Sequence, residues 1–328
     1  MKKVVLIFTG GTISMEVYDR SKGVVPSLSA DEIISKLQHV TNYTNLVGIQ
    51  FSMIPSPSMT PNLMQKLASE TIDQLQDPEV LGVIISHGTD TLEETAFYLD
   101  LVIDSSKPVV LTGSMKNASE LGYDGLTNLV SSIQVVSSPS SLNKGVLVVM
   151  NYEIHAASEV VKTHTLNLDT FKTLSFGPLG IIDDEEVLYY RSRTIKYPIK
   201  LKNIFKPDVA LLKMVTGFDP SVLAFYLQQG INGIVIEALG RGNVPPNVMP
   251  WIQAYKDASI PVVIVSRCVS GRVLDTYGYP GGGKDLVQAG AIMGGDLAGP
   301  KARILLMLSL GNRFDHEQMK VFYTQQFA

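Results

Sequence analysis

Two threonines in this chain each lie just after a short apolar run and a glycine. Thr12 belongs to the segment TGGTIS at 9–14, and Thr89 belongs to HGTDT at 87–91. If both runs are strands of an open α/β sheet, the threonines lie at the carboxyl ends of strands, where such sheets bind ligands. A threonine hydroxyl attacks a carbonyl carbon when a base lies within hydrogen-bond reach and donors stabilise the oxyanion. The two loops therefore indicate an enzyme with a hydroxyl nucleophile.

The neighbours of these threonines also suit a ligand site. Gly11 and Gly88 allow the backbone to approach a ligand with no side chain in the way. Asp90 places a carboxylate beside Thr89, and the free amides at the start of the next helix favour an anionic group such as a substrate carboxylate. Glycine–threonine turns after strands are common, and Thr91 is explained as a helix cap. The combination of the two loops is therefore stronger evidence than either loop alone.

Short apolar runs alternate with helix-length segments in the first part of the chain, which predicts an α/β domain with a doubly wound, mostly parallel, flavodoxin-like sheet. Runs that are apolar on both faces are typical of buried parallel strands. We predict such strands at Val4–Phe8, Val80–Ser86, Pro108–Thr112 and Gly145–Met150. Three helix starts are signalled by a capping box or by a cap followed by proline, at Ser29–Glu32, Thr60-Pro61 and Thr91–Glu94.

The alternation breaks between 187 and 207, where the sequence is basic and aromatic and contains two prolines. We expect a linker or an edge strand here, so the predicted domains are 1–190 and 208–328, joined by a linker at 191–207. The second domain is predicted to be a smaller α/β domain with a parallel sheet. Its predicted strands are 209–214, 233–236 and 261–266, and its predicted helices are 220–229, 246–256, 301–310 and 314–327.

The composition of the chain narrows the class of protein. The net charge of −4 and the isoelectric point near 5.8 leave no basic surface for nucleic acid or an anionic membrane. The single cysteine, Cys268, excludes an internal disulfide and suits a reducing compartment. The apolar run 4–8 is shorter than the signal-peptide core of about 7–15 residues, and no stretch approaches the roughly 20 apolar residues of a membrane span. We therefore expect a cytoplasmic protein.

The order of several motifs resembles the bacterial-type L-asparaginase/glutaminase family, cytoplasmic type I-like, over essentially the whole chain. The matching segments are TGGTIS, SHGTDTLEET, TGSM at 112–115, GRGNVP at 240–245 and PKARILLMLSL at 300–310. The resemblance implies hydrolysis of a side-chain amide to a carboxylate and ammonia, without a cofactor or metal, through an acyl-threonine ester. The substrate implied is L-asparagine, with some activity on glutamine.

The resemblance also implies roles for individual residues. Thr12 is the expected nucleophile, while Thr89, Asp90 and Lys162 form a second catalytic group in which lysine and aspartate polarise the threonine hydroxyl. Asp90 is also expected to bind the substrate's α-ammonium group. Without the resemblance, Lys162 is interpreted as a solvated surface lysine.

Further residues are implied to bind the substrate. Ser56 in PSPSM is expected to hold the α-carboxylate, and Gly11 and Gly88 to lie against the substrate. Asn243 is expected to complete the site from a neighbouring subunit, which implies a homodimer or homotetramer. By themselves, Ser56 and Asn243 are ordinary turn residues.

One position departs from the family's pattern. The family has a tyrosine about a dozen residues after the first threonine, paired with the nucleophile, and this chain has Gly-Val-Val-Pro at 23–26 instead. Tyr18 on the same loop, or Tyr277 or Tyr279 from the second domain, are the candidate partners for Thr12. The sequence leaves the choice among them open.

Other interpretations carry less weight. The segment 278–284 fits the spacing of a phosphate loop, but Asp285 replaces the hydroxyl residue that such a loop needs, and the nearest predicted strand ends far upstream. His155 and His164 lack metal-ligand spacing. His87 could suggest a threonine–histidine hydrolase, although a buried hydrogen-bonding histidine is the simpler expectation.

Two functions remain as alternatives to an asparaginase. The first is the amidase subunit of a tRNA-dependent amidotransferase, which shares the motifs but is expected to carry an additional N-terminal module. The second is a non-catalytic amino-acid-binding or sensor protein that has lost turnover, which the missing loop tyrosine keeps open. The preference for asparagine or glutamine does not follow from the sequence, because one methylene group changes discrimination by only about 1–3 kcal/mol.

Overall fold

A computed structural model describes residues 2–19, 23–26, 28–40, 45–193, 200–206 and 208–327. The chain divides into two compact units, Met1–Thr194 and Ile195–Ala328. The division falls inside the segment predicted as a linker. The ends of that linker stay a prediction, since 194–199 and 207 lie outside the described residues.

In the described residues, the N-terminal unit has twelve strands, and eight of them form a mixed sheet flanked by helices. Its strands are β1 (Lys3–Gly10), β2 (Met15–Asp19), β3 (Gly23–Pro26), β4 (Leu46–Ile54), β5 (Val80–Ser86), β6 (Val109–Thr112), β7 (Val146–Met150), β8 (Glu153–Ala156), β9 (Val161–Lys162), β10 (Phe171–Lys172), β11 (Gly180–Asp183) and β12 (Glu186–Tyr189). Its helices are α1 (Ala30–Val40), α2 (Pro61–Gln76), α3 (Leu92–Val102) and α4 (Gly125–Ser137), with 3₁₀ turns at Thr12–Ser14, Ser56–Ser58 and Pro139–Ser141.

The large sheet has the strand order β12-β11-β8-β7-β6-β5-β1-β4. Five neighbouring strands of this sheet run parallel, in the order β7-β6-β5-β1-β4. The strands β8, β11 and β12 continue the sheet with antiparallel pairings. Every residue of β6 and β7 is buried, as expected for parallel strands covered on both faces. The predicted α/β class with a mostly parallel sheet is confirmed. β2–β3 and β9–β10 form two separate hairpins.

Two of the three predicted helix starts are confirmed by their hydrogen bonds. Ser29 donates through its amide and hydroxyl to the Glu32 carboxylate at 2.7 and 2.8 Å, and the Glu32 amide donates to the Ser29 hydroxyl at 3.3 Å. The Thr60 hydroxyl accepts from the Leu63 amide at 3.3 Å. These side chains satisfy amides that a helix leaves unpaired at its first turn.

The predicted capping box at Thr91–Glu94 is wrong in its first member. The Thr91 side chain makes no capping bond, and its hydroxyl instead donates to the carbonyl oxygen of Ser56 at 2.9 Å. The Thr91 backbone, with a ψ of 14°, departs from the extended conformation of an N-cap, and the tertiary fold places a distant carbonyl within reach of its hydroxyl. The start of α3 is therefore tied to the segment around Ser56.

The C-terminal unit is a smaller α/β domain. Its elements are β13 (Val209–Lys213), α5 (Ser221–Gln228), β14 (Gly233–Ala238), α6 (Met249–Asp257), β15 (Val262–Ser266), α7 (Gly283–Gln288), β16 (Ile292–Met293), α8 (Gly299–Gly311) and α9 (His316–Phe327). The strand order is β13-β14-β15-β16 and all pairings are parallel, which confirms the prediction. The helix predicted at 246–256 is divided, because a 3₁₀ turn at Pro246–Val248 precedes α6.

Within the part of the chain that the structure describes, no helix combines the length and the apolar character that a membrane crossing requires.

Candidate active site

The Thr12 loop begins where β1 ends. Gly11 has a φ of 81°, in the left-handed region that favours glycine. A Cβ atom on Gly11 would lie 2.5 Å from the Cα and the nitrogen of Gly88. The Thr12 and Thr89 loops are therefore in direct backbone contact, and glycine at position 11 is required by both the dihedral angle and the close approach.

Strand pairing brings these loops together. β1 and β5 are parallel neighbours with Phe8 opposite Ser86, so both loops leave the same edge of the sheet. The Thr9 hydroxyl donates to the Ser86 carbonyl at 2.9 Å and ties the two strand ends. Thr12 then opens the 3₁₀ turn Thr12–Ser14 and is half-buried.

Lys162 joins Thr89 and Asp90. Its ammonium nitrogen lies 2.9 Å from the Thr89 hydroxyl oxygen and 2.7 Å from the Asp90 carboxylate. Lys162 lies on β9, paired with Phe171 of β10, so a hairpin more than seventy residues downstream supplies the cation. The Lys162 side chain is 14% exposed and the Asp90 side chain 63% exposed, so the lysine faces the protein while the carboxylate faces outward.

Ser56 completes this cluster from the 3₁₀ turn after β4. Its buried hydroxyl accepts from the Asp90 amide at 3.2 Å. A Cβ atom on Gly88 would lie 2.8 Å from the Cβ and the hydroxyl of Ser56, so only glycine allows this approach. The structure thus places Gly11, Ser56, Gly88, Thr89, Asp90 and Lys162 together, with Thr12 on the adjoining turn.

His87 lies beside this cluster but has no free nitrogen. Its Nδ1 lies 2.8 Å from the Gly88 carbonyl and its Nε2 lies 3.0 Å from the Thr95 hydroxyl. A carbonyl only accepts, so Nδ1 carries the proton and Nε2 accepts from Thr95. Complete burial lowers the pKa of His87 to about 4. The interpretation of His87 as a buried hydrogen-bonding residue is confirmed.

The four other candidates belong to other elements of the chain. Tyr18 is on β2, and its side chain lies outside the described part. Asn243 is in the C-terminal unit, where its backbone pairs with Leu239. Its side-chain oxygen is buried and has no hydrogen-bond partner among the described residues. Tyr277 and Tyr279 are in the same unit, both exposed, with ring centroids 5.6 Å apart.

A carboxylate that the sequence reasoning missed holds the TGSM segment in place. Asp124 accepts from the Ser114 hydroxyl at 2.6 Å and from the amides of Met115 and Lys116 at 3.1 and 3.0 Å. It also accepts from the Asn128 side-chain amide at 3.0 Å. An aspartate directly before a helix looks like a cap, and here it makes no capping bond. Only the fold brings its oxygens to the earlier segment 114–116.

The remaining sequence motifs show no ligand geometry. No group of three or more His, Cys, Asp or Glu side chains that could hold a metal occurs in the described ranges. In the glycine-rich segment, the Gly281 amide donates to the Asp285 carboxylate at 2.9 Å. This amide is therefore used within the segment.

Both units match known protein families. Residues 3–195 match the family model "Asparaginase, N-terminal", and residues 208–322 match "Glutaminase/Asparaginase C-terminal domain". The chain belongs to the asparaginase family.

Individual members of the asparaginase family align with nearly the whole chain. A "Probable L-asparaginase" of Deinococcus radiodurans is 37% identical, with 99% of this chain and 98% of that protein covered. One of the subunits of the "Glutamyl-tRNA(Gln) amidotransferase" of Methanosarcina mazei is 32% identical, with 97% of this chain and 76% of that protein covered.

The fold agrees with this assignment. The solved structure of a "Probable Cytoplasmic L-asparaginase" from Campylobacter jejuni superposes with a TM-score of 0.87 at 30% identity and covers 99% of both chains. The asparaginase family member described here is an amidohydrolase, and the resemblance stated from its motifs is confirmed.

Proposed function

We propose that this chain hydrolyses L-asparagine to L-aspartate and ammonia, with Thr12 forming an acyl-threonine intermediate. The observation that carries this proposal is the position of the Lys162 ammonium group, within hydrogen-bond distance of both Thr89 and Asp90. The Thr12 loop lies directly against this group through the Gly11–Gly88 contact. This arrangement supports a site at one sheet edge in which Thr12 is the nucleophile, Thr89 the polarised hydroxyl and Asp90 the carboxylate.

In the first step, the Thr12 hydroxyl oxygen attacks the carbon of the substrate's side-chain amide. A carbon–oxygen bond forms, the carbon–nitrogen bond breaks, and the hydroxyl proton leaves on ammonia. We assign the stabilisation of the oxyanion to backbone amides of the Thr12 and Thr89 loops.

In the second step, water cleaves the ester. The Lys162 ammonium donates to Thr89, so the Thr89 oxygen accepts and its own proton is free to bond a ligand or water. We assign Thr89, Lys162 and Asp90 to the orientation and activation of this water. Its oxygen joins the acyl carbon, and its proton returns to Thr12.

Substrate binding is assigned to the groups that surround these hydroxyls. The outward-facing Asp90 carboxylate suits the α-ammonium group, and the Ser56 hydroxyl, which accepts from the Asp90 amide, retains a proton for the α-carboxylate. Asn243 is assigned to the site of a neighbouring subunit in a homodimer or homotetramer. Its buried, unpartnered side-chain oxygen supports a role that the described part of one chain does not fulfil.

The partner that activates Thr12 stays with the candidates Tyr18, Tyr277 and Tyr279. Three variants separate them, Tyr18→Phe, Tyr277→Phe and Tyr279→Phe. The tyrosine that acts on Thr12 is the one whose loss slows formation of the acyl-threonine ester and leaves its hydrolysis by water unchanged.

A cytoplasmic location is supported by the single, exposed cysteine and by the description of the Campylobacter protein as cytoplasmic. Fractionation of cells that express the natural gene, followed by immunoblotting, tests this location.

The main experiment measures ammonia released from L-asparagine and L-glutamine by the purified protein. We expect release from asparagine, and loss of that release in Thr12→Ala and Thr89→Val. Thr127→Ala on α4 is the control, since this half-buried threonine lies outside the site. After acid quench, mass spectrometry of the wild type should find the acyl group on the peptide that contains Thr12. Activity near wild type in both site variants would contradict the mechanism.

A second candidate function is the amidase subunit of a tRNA-dependent amidotransferase, favoured by the Methanosarcina relative. In that case the released ammonia passes to a partner protein. Co-purification of the natural protein with a tRNA-acting partner would support this function, whereas full activity of the isolated protein on free asparagine supports the asparaginase. Tight asparagine binding without ammonia release would instead indicate a sensor.

A further inference from the structure

The Thr12 turn is short, so its backbone carbonyls depend on partners outside it. In a 3₁₀ turn the last carbonyls have no partner within the turn. Within the turn, the Ser14 amide donates to Gly11 and the Met15 amide donates to Thr12. The carbonyls of Ile13, Ser14 and Met15 are reached by other segments of the chain.

Two of these three carbonyls accept from backbone amides. Leu28 donates to Ser14 at 3.0 Å, and Ala118 donates to Met15 at 2.9 Å. The third carbonyl, that of the fully buried Ile13, accepts from the hydroxyl of Tyr123 at 2.7 Å. Tyr123 is thus the side chain that holds the residue directly after Thr12, across a separation of 110 residues.

The surroundings of Tyr123 hold its ring in place. The ring packs against the buried core of the N-terminal unit. Gly125 leaves the space for it, because a Cβ atom there would lie 2.4 Å from the ring carbon that bears the hydroxyl. Asp124, between these two residues, receives four hydrogen bonds and fixes the loop that carries them.

We propose that Tyr123 is a positioning residue for Thr12, holding the turn through the Ile13 carbonyl. Tyr123 does not act on the Thr12 hydroxyl itself, so it is not a catalytic residue and leaves open which group activates the nucleophile. The inference rests on the proposed role of Thr12. A turn held on both sides keeps the nucleophile aligned, and misalignment of a reacting atom by about 1 Å can slow a reaction about a hundredfold.

The first test is kinetic and compares Tyr123→Phe with Tyr189→Phe. Both tyrosines pack against the same core, and the hydroxyl of each makes a hydrogen bond. Tyr189 lies on the edge strand β12, and its hydroxyl is 2.9 Å from that of Ser141. We expect Tyr123→Phe to lower kcat about ten- to a hundredfold with KM nearly unchanged. Tyr189→Phe should keep the wild-type kcat. Equal effects of the two variants would overturn the proposal.

A second variant moves the ring and keeps its hydroxyl. Alanine is a better helix former than glycine, so Gly125→Ala would by itself stabilise the first turn of α4. The added Cβ must displace the Tyr123 ring, so we expect kcat to fall as in Tyr123→Phe. A wild-type kcat in Gly125→Ala would contradict the proposed role.

Hydrogen exchange tests the proposal without relying on turnover. The amides of Ser14 and Met15 are bonded within the turn, so their exchange reports its opening. Peptides that cover residues 11–15 should exchange faster in Tyr123→Phe than in wild type or Tyr189→Phe, and unchanged exchange would overturn the proposal. A wild-type protein that releases no ammonia would contradict the proposed function, and the exchange experiment would still decide the role of Tyr123.

Discussion

The ammonium nitrogen of Lys162 lies 2.9 Å from the hydroxyl oxygen of Thr89. An ammonium group only donates hydrogen bonds, so Thr89 must accept, which leaves its own proton for a second partner. This pair links a loop of the central sheet to the separate β9–β10 hairpin. The effect of Lys162 on catalysis can be measured apart from its effect on stability. Its ion pair with Asp90 adds little to stability, because the Asp90 side chain is largely exposed.

Replacing Lys162 with methionine should remove the polarising cation and leave the fold intact. We expect kcat for ammonia release to fall about 10²–10⁴-fold, the usual contribution of a positioned proton-transfer group. The free energy of unfolding should fall by about 1 kcal/mol or less, since the ion pair with Asp90 is largely solvent-screened. Steady-state kinetics and urea unfolding measure the two effects.

Lys172 supplies the control for this variant. It lies on β10, opposite Val161, and forms ion pairs with Glu153 and Asp169. Lys172→Met should retain kcat. Activity near wild type in Lys162→Met would show that Thr89 functions without the lysine.

Gly11→Ala should disrupt the contact between the two threonine loops. Gly177 is the matched control, because its φ of 71° resembles that of Gly11 while no atom lies within 4 Å of a Cβ built on it. In both variants the free energy of unfolding should fall by about 1–3 kcal/mol, because alanine disfavours the left-handed backbone conformation. Only Gly11→Ala should also lose kcat, because its new Cβ would overlap Gly88. Equal activity of the two variants, measured by ammonia release, would argue against a shared site.

Stability at acidic pH should depend on His87. Its pKa is lowered by burial from 6.5 to about 4 in the folded protein. Below pH 6.5 the unfolded chain therefore binds a proton that the folded chain binds only near pH 4. The free energy of unfolding should fall by about 3 kcal/mol as the pH drops through this window. Urea unfolding of His87→Gln should lack this component, and parallel pH profiles for variant and wild type would contradict the assignment.

Mixed subunits test whether Asn243 acts in the site of a neighbouring chain. Thr12→Ala and Asn243→Ala should each be inactive alone. In an isologous dimer, unfolding and refolding them together in equal amounts should restore about one quarter of wild-type activity, because half of the dimers are mixed and each has one intact site. If Asn243 acts within its own chain, no site in the mixture is complete and activity stays absent.

Local sequence signals predicted the parts of the fold that depend on local physics. β5 was predicted to its observed ends, because a strand covered on both faces is a continuous apolar run bounded by turns. Thr60 and Pro61 marked the start of α2 for a similarly local reason. The edge strand β4 was missed, since its residues alternate irregularly between half-buried and exposed. α4 was missed because it begins with glycine and its preceding aspartate bonds elsewhere.

For the site, the sequence by itself determined the chemical types of the groups: two glycine-flanked threonines at strand ends, a carboxylate beside one of them, and the family that carries these motifs. Only the tertiary structure decided which distant side chains reach them. Lys162, Ser56 and Tyr123 lie on segments with no local mark of function, and Thr91 uses its hydroxyl on Ser56 rather than as a cap. Hydrogen bonds depend on distances of about 3 Å between atoms, and chain folding, not sequence spacing, sets those distances.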